Sequence, residues 1–230
     1  SILRFCKVPA FLDLTKGSEY EPTDIMVVSK YVQNYVYEQW GRESTIIYPL
    51  IDIKKSFLNE KKYITMFNPN SKKGGTLFKK IANLLPNYDF ACVEGWDILK
   101  SKKKGDVEQI RRICESLKIE YKGQRIVDVN FEDMANVKKF SFTNDVSKIY
   151  SQTNILLVPS QWQEAFGRVA IEGMINEVPV IGSDVGGLSY IVNNGGILIK
   201  NYKNPKDWVS AIKSLESKKN YNLIAKKGKL

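Results

Sequence analysis

Histidine is absent from the 230 residues. That excludes a Ser-His-Asp triad, a Cys-His pair and any histidine-ligated metal from this chain. Cysteine is scarce: Cys6, Cys92 and Cys114 are an odd number without a C-x-x-C spacing, so neither a disulfide scaffold nor a zinc ribbon is expected. Cys92 sits in the apolar run Phe90–Val93 and reads as a reduced core thiol, which suits a reducing, cytoplasmic setting. No apolar run approaches the roughly 20 residues that span a bilayer. The apolar part of the first eleven residues is too short for a signal peptide. The chain starts at Ser1 without an initiator methionine, as a fragment or a processed piece of a longer protein does. Acidic residues are outnumbered, 25 Asp plus Glu against 35 Lys plus Arg, giving a formal charge of +10. That excess favours anionic partners: nucleotides, nucleic acid or an acidic membrane face. The lysines are dispersed in short runs such as Lys54-Lys55, Lys79-Lys80 and Lys102 to Lys104, mostly solvated surface. No zinc-finger spacing or RNA-binding signature accompanies them, so nucleic acid is not expected as a partner.

What is present is a core-forming chain, 43% hydrophobic, ample for one full domain and part of another. From about residue 63, short apolar runs alternate with helical spacing. Strands are expected at 63–67, 89–93, 137–142, 154–158, 178–182 and 196–199. Helices are expected at 75–85, 106–117, 145–151, 167–176, 188–192 and 205–215. Runs that are apolar at every position, such as Ile155 to Val158, suit a parallel sheet covered on both faces. The expected fold class is therefore α/β, a doubly wound parallel sheet of Rossmann-like type. Upstream, residues 23–28 predict a strand and Ser29 to Trp40 a helix, followed by an extended segment with a proline. This divides the chain into residues 1–45, the tail of a first domain; 46–62, a linker; and 63–230, the main domain. Residues 118–135 fit either an extra strand around Arg125 or an inserted loop.

In a doubly wound sheet, ligands bind at the carboxyl ends of the strands. After the first strand, Asn68 to Gly75 (NPNSKKGG) sets two glycines behind two lysines at a helix start. That is a phosphate cradle, or else a basic surface turn. Neither G-x4-G-K-S/T nor G-x-G-x-x-G occurs in it. After the fourth strand, Pro159 to Val169 (PSQWQEAFGRV) leads into another helix. Its first N–H groups, near Phe166, Gly167 and Arg168, have no partner within the helix. After the fifth, Ser183 to Ser189 (SDVGGLS) forms a third glycine turn. Glu164 and Glu172 flank the second helix start, at most about 12 Å apart at helical rise. Carboxylates so placed can accept hydrogen bonds from hydroxyls at both ends of a group whose middle is a pyrophosphate. A cap and a solvated helix residue are the plainer reading of the same pair.

Glu164 to Glu172 (EAFGRVAIE), followed by GMINEVPVIGSDVGG, resembles the E-x7-E signature of glycosyltransferase family 4, retaining enzymes of GT-B fold that use nucleotide sugars. The likeness extends to residues 64–95, 137–169 and 186–199, and upstream to 23–36 and 46–52. It implies that the chain is the C-terminal, donor-binding half of a GT-B glycosyltransferase with the tail of the N-terminal domain. It implies catalytic roles for Glu164, at the donor sugar, and Lys73, at the leaving diphosphate. Donor binding would fall to Asn68, Gly74, Gly95, Trp96, Lys139, Phe140, Phe166, Gly167, Arg168 and Glu172. Of these, Glu172 would hold the ribose, while Gly95, Trp96 and the loop around Lys139 and Phe140 would lie at the base. Implied partners are a nucleotide sugar and a glycan or glycoconjugate acceptor, with no cofactor or metal; the net positive charge and the reduced thiol add the expectation of a cytoplasmic location with peripheral contact to an anionic membrane. Two departures stand out. Asn68 occupies a position where many members carry an arginine, with Lys72 or Arg168 available to replace its charge. Ser189 and Tyr190 lie where an acidic residue is usual after the glycine pair. The competing expectation is a non-catalytic nucleotide-binding module that acts through a partner chain.

Overall fold

The computed structural model describes residues 2–5, 23–51, 61–95 and 129–228. Two parallel sheets organise them. The smaller contains β1 (Ile2–Phe5), β2 (Asp24–Val27) and β3 (Thr45–Ile46), in that spatial order. Helix α1 (Lys30–Trp40) follows β2; Ser29 caps it by accepting from Val32 N–H, and Gly41 ends it in the left-handed region. Val32 and Val36, one helical turn apart, pack with Ile25, Val27 and Val28 into a small core.

The larger sheet holds β4 (Tyr63–Phe67), β5 (Phe90–Val93), β6 (Val137–Phe140), β7 (Thr153–Val158), β8 (Val180–Ser183) and β9 (Ile197–Ile199). Its spatial order is β6-β5-β4-β7-β8-β9, with every pairing parallel. The helices are α2 (Gly75–Leu84), α3 (Ser147–Gln152), α4 (Arg168–Ile175), α5 (Gly186–Gly195), α6 (Pro205–Ser214) and α7 (Lys218–Lys227). All six expected strands of this sheet form: the four inner ones are buried at most or all of their positions, while the edge strands β6 and β9 bury only Val137 and Ile199 fully. Strand alternation then sorts the side chains between two cores. Ile155 and Leu157 join Ile64, Met66, Phe90 and Cys92 beneath α2 and α6, while Leu156 joins Val180, Ala170 and Leu188 beneath α4 and α5. Trp208, Ala211 and Ile212 supply the buried stripe of α6, at helical spacing. The doubly wound sheet expected from the sequence is the fold observed.

Three features depart from the expectation. β1 and α7 form where neither a strand nor a helix was anticipated. α7 is mostly polar and buries only Ala225 fully, so its apolar periodicity is faint. Ile46, on the linker side of the expected boundary, still pairs with Val27 of β2. The helix expected at 106–117 and the ambiguous segment around Arg125 lie outside the described residues. Cys92 is free and buried, and burial pushes its thiol up to about 11. No helix among the described residues is long and apolar enough to cross a membrane.

The topology itself singles out one place. The chain leaves β4 outward through β5 and β6, then returns to β7 on the other side of β4 and continues outward through β8 and β9. The helices after β4 and β7 therefore cover opposite faces of the sheet, and the two strands form the switch point of the strand order, the place where open α/β sheets bind ligands.

Candidate active site

The loop after β4 is shaped by two left-handed residues, Asn68 (φ 54°) and Gly74 (φ 90°). Gly74 has to be glycine on two grounds. Its φ is costly for any L side chain, and a Cβ there would sit 1.9 Å from the Pro159 carbonyl oxygen. The β4 and β7 loops are thus in backbone contact, and Gln161 N–H donates to the Lys72 carbonyl across the same seam at 2.8 Å. Asn70 orders the turn: its Oδ1 accepts from Lys73 N–H at 2.9 Å and its Nδ2 donates to Asn68 Oδ1 at 2.8 Å. The Asn68 side chain is thereby turned inward, close to Gly95, where a Cβ would meet its Cγ at 2.3 Å.

This seam brings Lys73 onto Glu164, 91 residues apart in sequence. Lys73 Nζ lies 2.6 Å from Glu164 Oε1. Ser160 Oγ and Trp162 Nε1 donate to the same oxygen at 2.5 and 2.9 Å. Glu164 is only 7% exposed. Burial alone would raise its carboxyl, but Lys73, Ser160 and Trp162 together more than reverse that and hold it below its ordinary value. The Trp162 ring also carries cations on its face, with Lys73 Nζ 5.1 Å and Lys72 Nζ 5.6 Å from the centroid.

Beyond Glu164 the loop is pinned from two sides. Glu164 O accepts from Gly187 N–H, at the start of α5, at 2.6 Å. Ala165 O accepts from Ser29 Oγ, at the start of α1, at 2.5 Å. Ala165 and Phe166 pack on the small core of the first lobe, and the Phe166 ring lies 6.1 Å from that of Tyr48. Gly167 (φ 93°) then turns the chain into α4. A Cβ there would meet Leu188 Cδ1 at 2.9 Å. No group among the described residues accepts from the N–H groups of Phe166, Gly167 or Arg168. The helices that follow β4, β7 and β8, namely α2, α4 and α5, lack a side-chain cap, as do α3 and α7, whereas α1 and α6 are capped by Ser29 and Asn204. Uncapped N-termini keep their N–H donors and the positive end of the helix dipole available to an anion.

Glu172 forms a second cluster on α4. Its Oε1 lies 2.7 Å from Arg168 Nε, and its Oε2 accepts from Tyr150 OH at 3.0 Å. Burial, then the Glu172 carboxylate, push the Tyr150 hydroxyl well above its ordinary range, so it remains a donor. The Arg168 charge is therefore engaged by Glu172 rather than standing free at the helix start.

Lys73, Gly74, Glu164, Phe166, Gly167, Arg168 and Glu172 thus gather around the β4 and β7 loops, with Asn68 and Gly95 adjoining them. Lys139 and Phe140 do not join them. They lie on the edge strand β6 rather than in a loop. Lys139 is paired with Glu94 at 2.9 Å, while Phe140 packs against Tyr63 beneath Lys138. Edge-strand pairing with β5 holds them two strands from β4. Trp96 lies outside the described residues. Ser160, Trp162 and Tyr150 are participants that the sequence reading passed over. The first two precede Glu164 by four and two residues in a bent loop after β7, a placement with no regular periodicity to reveal it.

With the geometry in hand, the chain can be compared with known proteins. Residues 123–229 match the family described as Glycosyl transferases group 1. A D-inositol 3-phosphate glycosyltransferase of Rhodococcus erythropolis is 40% identical over 72 residues, 30% of this chain and 16% of that protein. The O-antigen chain mannosyltransferase RfbU of Salmonella typhimurium is 33% identical over 93 residues, 40% of this chain and 26% of that protein. The matches thus span about a quarter or less of these relatives. In fold, the chain resembles Alr3699/HepE of Anabaena, solved in complex with UDP and glucose, with a TM-score of 0.72 at 16% identity. That match covers 99% of this chain and 65% of HepE.

Proposed function

We propose, for a chain whose residues 123–229 match the glycosyl transferases group 1 family, that it is the donor-binding half of a retaining glycosyltransferase. It transfers a sugar from a nucleoside-diphosphate sugar to a glycan or glycoconjugate acceptor. The observation that carries this reading is the Lys73–Glu164 pair at the switch point between β4 and β7, beside helix starts that present uncapped N–H groups. The relatives named as glycosyltransferases and the HepE complex with UDP and glucose support the donor class.

On this reading the diphosphate lies across the starts of α2 and α4. It receives backbone N–H groups from Phe166, Gly167 and Arg168 and the ammonium of Lys73. Glu172, already oriented by Tyr150 and Arg168, accepts from the ribose hydroxyls. Glu164 accepts from hydroxyls of the donor sugar and orients its reacting carbon. The bond from that carbon to the leaving phosphate oxygen breaks, and the bond to the acceptor oxygen forms on the same face. The acceptor proton passes to the departing phosphate oxygen. The chain's task is positioning and charge stabilisation. The negative charge on the departing diphosphate is met by Lys73 and the helix starts, and no metal ion is invoked. The formal charge of +10 suits work at an anionic membrane face on the cytoplasmic side.

Calorimetric titration of the chain with UDP and GDP, followed by their sugar conjugates, tests the donor assignment. Saturable binding of one nucleotide, lost in Lys73→Ala, is expected; binding of neither rejects the reading. Transfer by the whole enzyme should disappear in Glu164→Ala. In Glu172→Ala, by contrast, the nucleotide should bind more weakly while the chemical step is retained.

A further inference from the structure

Three donors converge on one oxygen of Glu164. Lys73 Nζ, Ser160 Oγ and Trp162 Nε1 all reach Oε1, and no described group donates a hydrogen bond to Oε2. Nor is Oε2 among the sealed, unpartnered side-chain polar atoms of the described residues, which are Ser44 Oγ and Ser183 Oγ. The carboxylate is therefore held by one oxygen, and the other is neither sealed nor engaged by a described donor. A carboxylate bound this way cannot rotate about its terminal bond without breaking several charge-assisted hydrogen bonds at once.

Of the three donors, Lys73 is the one expected to turn toward a diphosphate, which leaves Ser160 and Trp162 to keep the carboxylate in place. The indole meets the paired charges with two different surfaces. Its N–H edge donates to Glu164, while its π-face carries Lys73 and Lys72. An indole face attracts ammonium groups, so the same ring that fixes the anion also keeps the two cations beside it. A phenyl ring would retain the face and lose the edge.

We infer that Trp162 is a positioning residue, which aims Glu164 Oε2 at the hydroxyls of the bound sugar and holds the Lys72 and Lys73 ammonium groups on its ring for the diphosphate. The inference rests on the donor-site reading above. It assigns no contact between Trp162 and the reacting atoms; the indole acts through Glu164 and the lysines.

The test uses the whole chain with UDP and UDP-glucose, and with GDP and GDP-mannose, titrated against the wild type, Trp162→Phe and Trp162→Leu. Trp162→Phe is expected to leave the affinity for the bare nucleotide within about twofold. The extra affinity contributed by the sugar should fall about tenfold, the loss typical of one hydrogen bond to a charged group. Trp162→Leu, lacking the ring face as well, should also weaken the bare nucleotide. In the Glu164→Gln background, Trp162→Phe should have little further effect on the sugar increment, because the two act as a unit. Independently of any ligand, carbon-13 NMR of the Glu164 carboxyl should show its pKa raised in Trp162→Phe. An unchanged sugar increment with an unchanged Glu164 titration overturns the inference while leaving nucleotide binding intact. Equal losses for nucleotide and nucleotide sugar in Trp162→Phe overturn it too, because that pattern belongs to general loosening. A wild-type chain that binds neither nucleotide pair rejects the parent reading.

Discussion

Replacing Lys73 with methionine keeps the unbranched stem of the side chain and removes its charged end, so it isolates the ion pair at the centre of the site. In the intact chain Glu164 is buried, and burial by itself would raise its carboxyl. Lys73 supplies both the largest opposing charge and one of three hydrogen bonds. Without it, Ser160 and Trp162 remain as donors, so the carboxylate is not left bare. The loss lies between that of a charge-assisted hydrogen bond and that of a fully broken buried pair, about 2 kcal/mol at neutral pH. For a chain of this length, that corresponds to a melting-temperature drop of about 4–8 °C. The pH dependence is the sharper signature. In the wild type, the Glu164 pKa is depressed on folding, so its contribution is present above the unfolded carboxyl pKa and is lost as pH falls through the folded value. In Lys73→Met the balance tips toward burial, and the carboxyl titrates above its wild-type folded value. The stability gap between the two proteins should therefore be widest at pH 7–8 and narrow as the pH is lowered into the carboxylate range. Urea denaturation at pH 8, 6 and 4 measures it. A gap that is equal at all three pH values would refute the electrostatic reasoning and point to lost packing of the lysine stem.

Gly74→Ala adds a methyl group where the Pro159 carbonyl already sits and where φ is 90°; thermal unfolding should show a loss of about 3 kcal/mol or more. Ser29→Ala removes both the cap of α1 and the hydrogen bond to Ala165 O. It should cost about 1–2 kcal/mol and raise amide exchange in residues 164–168, with the β5 and β8 amides unaffected. Tyr150→Phe deletes one donor to Glu172 and should weaken nucleotide binding severalfold in calorimetry without altering the sugar increment. Cys92, with its thiol pushed up to about 11 by burial, should resist alkylation at pH 8 in the folded chain and react once urea unfolds it, as followed by peptide mass mapping.

Most of the large sheet was legible because its strands are apolar at nearly every position and its helices carry buried stripes. β1 and α7 were not. The first is a four-residue segment that gains its partner only from β2, twenty-two residues on in register, and α7 is dominated by lysine and asparagine. At the site, Glu164, Gly167 and Lys73 could be picked from glycine turns and charge, since those residue types have local reasons to lie at helix starts. Trp162 and Tyr150 have none. Trp162 matters because β4 and β7 are neighbours, which places Lys72 and Lys73 over its ring from a loop about ninety residues upstream. Tyr150 matters because α3 and α4 cover the same face of the sheet. Lys139 and Phe140 lie beside Glu94, on β6, the outermost strand on its side, and so apart from the β4–β7 seam.

The most direct test of the account is a crystal structure of the chain with its nucleotide sugar bound. The diphosphate should lie against the N–H groups of Phe166, Gly167 and Arg168 within reach of Lys73. The ribose should meet Glu172, and a sugar hydroxyl should meet Glu164 Oε2. A nucleotide seated elsewhere, or Glu164 and Glu172 both turned away from it, would contradict the assignment.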